Sequence, residues 1–205
     1  MSIHAETVAG SPSRVVTADH WFDFLCPYCY IGQDRNRILR ERGINVVGHP
    51  LEIHPEIGPG GTPAGPRQGP TYVLLAQEAE AAGLPLRWSD RIPYSRPALA
   101  AYAWLRESEP EAAEPFASSV FAAYFGNGRD IESEELLLTL ADGTGGDAED
   151  LRAALASGSA SAALAGSEVL GWEKGVASTP TWLVGAERVS GLRPRTFFET
   201  WPPRR

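Results

Sequence analysis

The run Trp21-Phe22-Asp23-Phe24-Leu25-Cys26-Pro27-Tyr28-Cys29-Tyr30 leaves this chain few folds to choose from. An apolar segment with the character of a buried strand passes directly into a Cys-x-x-Cys pair, and a helical pattern follows from Tyr30. The first sulfur therefore falls at a strand-to-helix junction, where backbone N–H groups without intrahelical partners and the helix dipole favour a thiolate. Pro27 suits the first helical turn, because the N–H it lacks would be unpaired there. The chain has two cysteines in 205 residues, both in this motif, so they are not the framework of a small secreted scaffold. A bridge between them closes too short a loop to restrain much chain entropy, and no second pair exists to complete a zinc site. Redox chemistry is the leading reason for the pair, with two inert core thiols as the alternative. It assigns Cys26 as nucleophile and Cys29, about one turn on, as the thiol that resolves a mixed disulfide. Pro27 and Tyr28 fix the turn, occupy the space beside it and contact substrate.

The rest of the chain reads as cover and support. Residues 1–13 form a loose polar lead, and Arg14 to Leu25 is strand-like with a break or bend at Asp19-His20. The first helix, with Ile31, Ile38 and Leu39 on one covered face, ends near Gly43. A second strand lies within Ile44 to Ile53. From Pro55 to Pro70 the chain carries five glycines and five prolines and cannot be regular, which marks the boundary of an insertion. Helices follow at Thr71 to Ala82, with Thr71 as cap, and at Ser95 to Leu105, Glu111 to Phe125, Ser133 to Ala141, Ala148 to Ala156 and Ser159 to Lys174. Strand chemistry returns after Gly175 as two strands joined at Gly185-Ala186, and Pro194 to Trp201 makes a final short helix. The order is βαβ, helical block, ββα.

The segments Asp23 to Gly32, Ser95-Arg96-Pro97-Ala98-Leu99-Ala100, Ala122-Ala123-Tyr124-Phe125 and Gly175-Val176-Ala177-Ser178-Thr179-Pro180-Thr181 resemble DsbA-family proteins of the FrnE-like branch, which is related to 2-hydroxychromene-2-carboxylate isomerase. The resemblance covers nearly all of residues 14–200. It implies an α/β, thioredoxin-like fold interrupted by a large all-helical insertion, with thioredoxin-like parts at 14–60 and 175–201 and the insertion at 61–174. It also implies a cis Thr179-Pro180 bond facing the cysteines. Thr179 and Ser178 would then bind substrate, Thr179 pairing like an added strand, and Pro180 would belong to the catalytic group.

Asp23 is a candidate proton acceptor for Cys29, although strand alternation also allows it a solvated place at an edge. His20, His49 and His54 are either thiolate-stabilising or simply packed or solvated. Tyr30 is either groove or core, and Phe121, Tyr124 and Phe125 are core residues with a share in the groove as the minority reading.

The function expected is a protein thiol–disulfide oxidoreductase or isomerase acting on protein or peptide disulfides and thiols, with no cofactor and with glutathione allowed as redox co-substrate. The alternatives are a glutathione-dependent isomerase or transferase, disfavoured by cysteine at the first active position, and a non-catalytic peptide-binding or chaperone-like module, disfavoured by both sulfurs. A net charge of −8 without a basic patch argues against nucleic acid or anionic membrane as partner, the terminal Arg204-Arg205 being a solvated tail. With no secretory pattern at the N-terminus, a cytoplasmic location is expected, and a homodimer is left open.

Overall fold

A computed structural model describes residues 15–203. The polar lead, Arg14 and Arg204-Arg205 lie outside the described residues. Strand β1 (Thr17–Phe22) is central in a four-stranded sheet. It runs parallel to β2 (Asn45–Pro50) on one side and antiparallel to β5 (Thr181–Val184) on the other, and β6 (Glu187–Ser190) completes the sheet beyond β5. The sheet thus joins segments from the two ends of the chain, as a thioredoxin-like sheet does.

No break occurs at Asp19-His20: the two residues continue the ladder, opposite Val47 and Gly48 on β2 and Leu183 and Trp182 on β5. Their polarity is satisfied by partners distant in sequence. Asp19 accepts from His49 Nε2 at 2.8 Å, and His20 Nδ1 lies 3.0 Å from Asn36 Nδ2.

Helix α1 (Pro27–Glu41) connects β1 to β2 and begins at Pro27, three residues before its periodic pattern becomes legible. It is covered on more than one face. Ile38 and Leu39 pack with Ala18, Trp182 and Phe198, while Ile31 packs with Leu75 and Ala79. Asp34, Arg35 and Asn36 are buried as well. Arg35 bridges Asp34 and Glu78 and donates to the Arg193 carbonyl at 3.2 Å. A buried guanidinium needs this full set of partners, since an unpaired charge there would cost several kcal/mol.

The insertion between β2 and β5 carries α2 (Pro70–Ala81), α3 (Arg96–Ser108), α4 (Pro110–Phe121), α5 (Glu134–Gly143), α6 (Ala148–Ser157) and α7 (Ser159–Glu173). The cap of α2 is Gly69, not Thr71: Pro70 takes the first helical position, and φ of +96° at residue 69 demands glycine. Besides the helices there is one small ribbon, β3 (Thr62–Pro63) antiparallel to β4 (Arg91–Ile92), which gives a short regular piece to the stretch from Pro55 to Pro70. After α4 the chain widens into a π-helical turn over Ala122–Gly126. Last comes α8 (Arg195–Phe198), against α1.

The insertion docks on the sheet through α3 and α7. Ser167 Oγ donates to the Pro50 carbonyl at 2.8 Å, and Arg106 donates to the Gly48 carbonyl at 3.1 Å and to His49 Nδ1 at 2.9 Å. Among the described residues no helix is long and apolar enough to cross a membrane.

Candidate active site

The site forms where β1 ends. Cys26 is the N-cap of α1, with φ −81° and ψ 112°, and Pro27 follows at the first helical position. The Cys26 carbonyl accepts the N–H groups of Cys29 and Tyr30 at 3.0 and 3.1 Å, so the helix starts directly beneath the first sulfur. Both cysteines are free thiols, 5% and 0% exposed. Their ionisations are pushed in opposite directions. The Cys29 thiol donating to Cys26 is the main influence holding Cys26 below the ordinary thiol range. The Thr179 hydroxyl and the Cys29 N–H help, while burial and the Asp23 charge oppose. Burial pushes Cys29 well up, and its contacts with Cys26 add to that.

The segment leading into β5 closes over the pair. Thr179-Pro180 is a cis peptide bond. Cys26 Sγ donates to the Thr179 carbonyl oxygen at 3.4 Å. The Thr179 hydroxyl is buried without a hydrogen-bond partner among the described residues, yet close enough to both sulfurs to favour their ionised forms. The Ser178 carbonyl accepts from Thr181 Oγ1 at 2.8 Å and the Pro180 carbonyl from Gly191 N–H at 2.8 Å, which fixes this turn to the strands behind it. Ser178 is exposed, Thr179 half-buried and Pro180 buried.

Asp23 is not at a solvated edge. It is 0% exposed: it sits past the end of β1, where it meets Ser95, the N-cap of α3, and Ile53 of the chain after β2. Its oxygens accept the N–H groups of Leu25 at 2.9 Å and Ile53 at 2.8 Å. Burial raises its pKa to about 6 in spite of those bonds, the Ser95 hydroxyl and the nearby His54 charge. The carboxylate makes no hydrogen bond to either sulfur; its charge is felt by Cys26, and its backbone N–H by Cys29.

The histidines divide differently. His20 is stacked on Trp182 with centroids 4.6 Å apart, and burial lowers its pKa to about 3. Trp182 Nε1 can only donate, and it donates to Asn36 Oδ1 at 2.7 Å; Asn36 Nδ2 must then donate to His20 Nδ1, leaving the proton on Nε2. His49 serves the contact between Asp19 and Arg106. His54 is exposed beside Glu56 at 2.9 Å. None of the three is hydrogen-bonded to a cysteine.

A cavity of about 680 Å³ opens beside the motif. Leu25, Pro27 and Tyr28 form its near wall, and Tyr72 and Leu75 of α2, Tyr124 and Phe125 of the π-helical turn and the stretch from His54 to Arg67 contribute to the others. Tyr30 does not line it: its ring stacks on Phe125 and its hydroxyl donates to the Pro85 carbonyl at 2.5 Å. Arg67 and Tyr72 also line the cavity and were not singled out in the sequence as site residues. Arg67 stands alone in a glycine- and proline-rich stretch where no periodicity assigns a side chain to a surface.

A thiol capping a helix, a second thiol one turn deeper and a cis-proline turn across from them on a thioredoxin-like sheet define a thiol–disulfide oxidoreductase. The chain belongs to the DSBA-like thioredoxin domain family, whose sequence profile matches residues 17–200. Among solved structures it is similar to a probable DsbA oxidoreductase from Streptomyces coelicolor, at 26% identity and TM-score 0.78 over 90% of this chain and 87% of that one. A 2-hydroxychromene-2-carboxylate isomerase shares the fold at 23% identity and TM-score 0.69, over 85% of this chain and 88% of that one. So does the cytosolic disulfide reductase DsbM from Pseudomonas aeruginosa, solved with GSH, at 22% identity and TM-score 0.62 over 90% and 93%. No curated protein matches the sequence.

Proposed function

We propose that this protein reduces or isomerises disulfides of proteins and peptides through a mixed disulfide on Cys26. The opposed ionisation of the two thiols, Cys26 held down and Cys29 pushed up, carries the reading. The Cys26 thiolate attacks one sulfur of a substrate disulfide, and the substrate S–S bond breaks with release of one thiolate. Cys29 then gives up its proton and attacks Cys26 Sγ, displacing the second substrate thiolate. The substrate gains two electrons, and the protein ends with a Cys26–Cys29 disulfide.

Asp23, with a pKa of about 6, is ionised at neutral pH and is the group we assign to receive the Cys29 proton. Thr179 and Ser178 present backbone to an extended substrate, Pro180 seats the turn, and Pro27 and Tyr28 border the entry. Glutathione is the reductant that returns the pair to its thiols, a reading favoured by the DsbM relative solved with GSH. A reducing, cytoplasmic setting suits this reading, and the relative described as a cytosolic disulfide reductase favours it.

Equilibration against glutathione buffers, with Cys26 ionisation read from thiolate absorbance, tests this. A reversible two-electron couple with an acidic Cys26 is expected; absence of any reversible couple would remove the oxidoreductase reading.

A further inference from the structure

The cavity beside Cys26 contains a cation that its charged neighbours do not neutralise. Its walls carry three charged or titratable side chains besides tyrosines: His54, Glu56 and Arg67. His54 and Glu56 satisfy each other. Arg67 is half-buried and has no ion pair with a carboxylate among the described residues, and its Nε is fully enclosed without an acceptor. The guanidinium is held in place from behind. It lies over the Trp88 ring at 4.9 Å, and that ring packs edge-on against Tyr72 and Phe125, both of which line the cavity.

An arginine fixed by stacking and by its contact with the Tyr124 hydroxyl, its charge matched by no carboxylate, loses little entropy on taking a planar acceptor. Apart from Thr62 and Thr71, the remaining side chains are aromatic or aliphatic, and the volume lies in the range of small-molecule sites. A ligand that satisfies both features has a carboxylate on an apolar or aromatic body. Leu25 and Pro27, on either side of Cys26 in the chain, line the same cavity, so a body bound there lies beside the segment that carries the attacking sulfur.

We propose that Arg67 makes this cavity a recognition site for the carboxylate of an apolar or aromatic disulfide substrate, selecting it for attack by Cys26. This rests on the oxidoreductase reading and adds a substrate class to it.

The test is a single turnover of the reduced protein with two aryl disulfides at neutral pH: dithiobis(nitrobenzoate), which has a carboxylate on each ring, and dithiodipyridine, which is uncharged there. In each, Cys26 displaces one aryl thiolate and Cys29 the second; two are released per protein oxidised, and absorbance counts them. Arg67→Gln is expected to lower the ratio of the rate constants, carboxylated over neutral, by about tenfold, the loss of one charge-assisted contact. Arg67→Lys, which keeps the charge, is expected to retain more of the ratio than Arg67→Gln. A ratio unchanged in Arg67→Gln, or a lysine variant as poor as the glutamine one, overturns the assignment of Arg67. A parent protein that attacks neither disulfide overturns the oxidoreductase reading and this one with it, whereas attack on both with no dependence on Arg67 overturns only the latter.

Discussion

Cys26 and Thr179 meet through a hydrogen bond of 3.4 Å from the sulfur to the backbone carbonyl, across 153 positions of the chain. The contact joins the end of β1 to the turn before β5, so the Cys26 sulfur is positioned by the two segments that the insertion separates in sequence. The carbonyl holds the protonated thiol, while the Cys29 thiol and the Thr179 hydroxyl favour the thiolate. The site is thus arranged to release a proton from one sulfur and keep it on the other.

That division of labour predicts different products from the two serine variants. Cys26→Ser is expected to bring turnover of insulin or a disulfide peptide to background. Cys29→Ser retains the attacking sulfur and cannot resolve, so it accumulates substrate as a mixed disulfide, visible by mass spectrometry and reversed by dithiothreitol. Unchanged turnover in Cys26→Ser would remove the nucleophile assignment.

The largest influence on Cys26 is the hydrogen bond from Cys29, and its removal has a definite sign. A donor to the thiolate lowers the pKa, so Cys29→Ala is expected to move the midpoint of Cys26 alkylation upward, toward the free-thiol value of about 8.5. The pH profile of iodoacetamide labelling measures it. A downward or absent movement would show that the helix terminus and Thr179 control the sulfur instead.

Gly48 lies on β2 beneath α3, and a Cβ there would stand 2.1 Å from the Tyr102 hydroxyl. Tyr102 is 1% exposed, so its ring can move only by displacing the side chains packed around it. Gly48→Ala is expected to cost about 1–3 kcal/mol through displacement of that ring. Urea unfolding should show a lower midpoint with an unchanged slope.

The sequence made the cysteine site legible because its signals are local: an apolar strand, a proline at the first helical position and two thiols one turn apart. The paired strands after Gly175 were legible for the same reason, with Gly185 marking the turn. Features set by contacts distant in sequence were not. Asp19 and His20 interrupt an apolar run, and only their partners His49 and Asn36 show why a strand passes through them unbroken. Asp34 and Arg35 have the composition of a solvated helix face, yet α2 and α8 cover them, and nothing near them in sequence announces Glu78 or Arg195. The ribbon of Thr62–Pro63 with Arg91–Ile92 has two residues per strand, too few for any period to register. Asp23 was open in sequence, because alternation reports the face of a strand and not what covers the residue just beyond its end.

Asp23 and His20 together give the last prediction. Asp23 has a folded pKa of about 6, above its ordinary value, so between about 4 and 6 the folded state binds more protons than the unfolded one. Its contribution is therefore present at low pH and lost as pH rises through 6. His20 has a folded pKa of about 3, below its ordinary value, so from about 6.5 downward the unfolded state binds more protons. Its contribution is present above about 6.5 and lost as pH falls toward 3. In the shared window the two slopes oppose each other, each of order 1.4 kcal/mol per pH unit. Asp23→Asn removes the first, so its stability relative to the parent should fall as the buffer is acidified from pH 6 toward 4. His20→Phe keeps a ring against Trp182 and removes the second, so its stability relative to the parent should rise over the same window. Each variant also loses a hydrogen-bond acceptor, for the Leu25 or Ile53 N–H in one case and the Asn36 amide in the other, which adds a pH-independent cost of about 1–3 kcal/mol. Urea unfolding across that window separates the two effects, because only the slopes report the titrations; parallel curves for parent and variants would mean that neither group ionises as its burial requires.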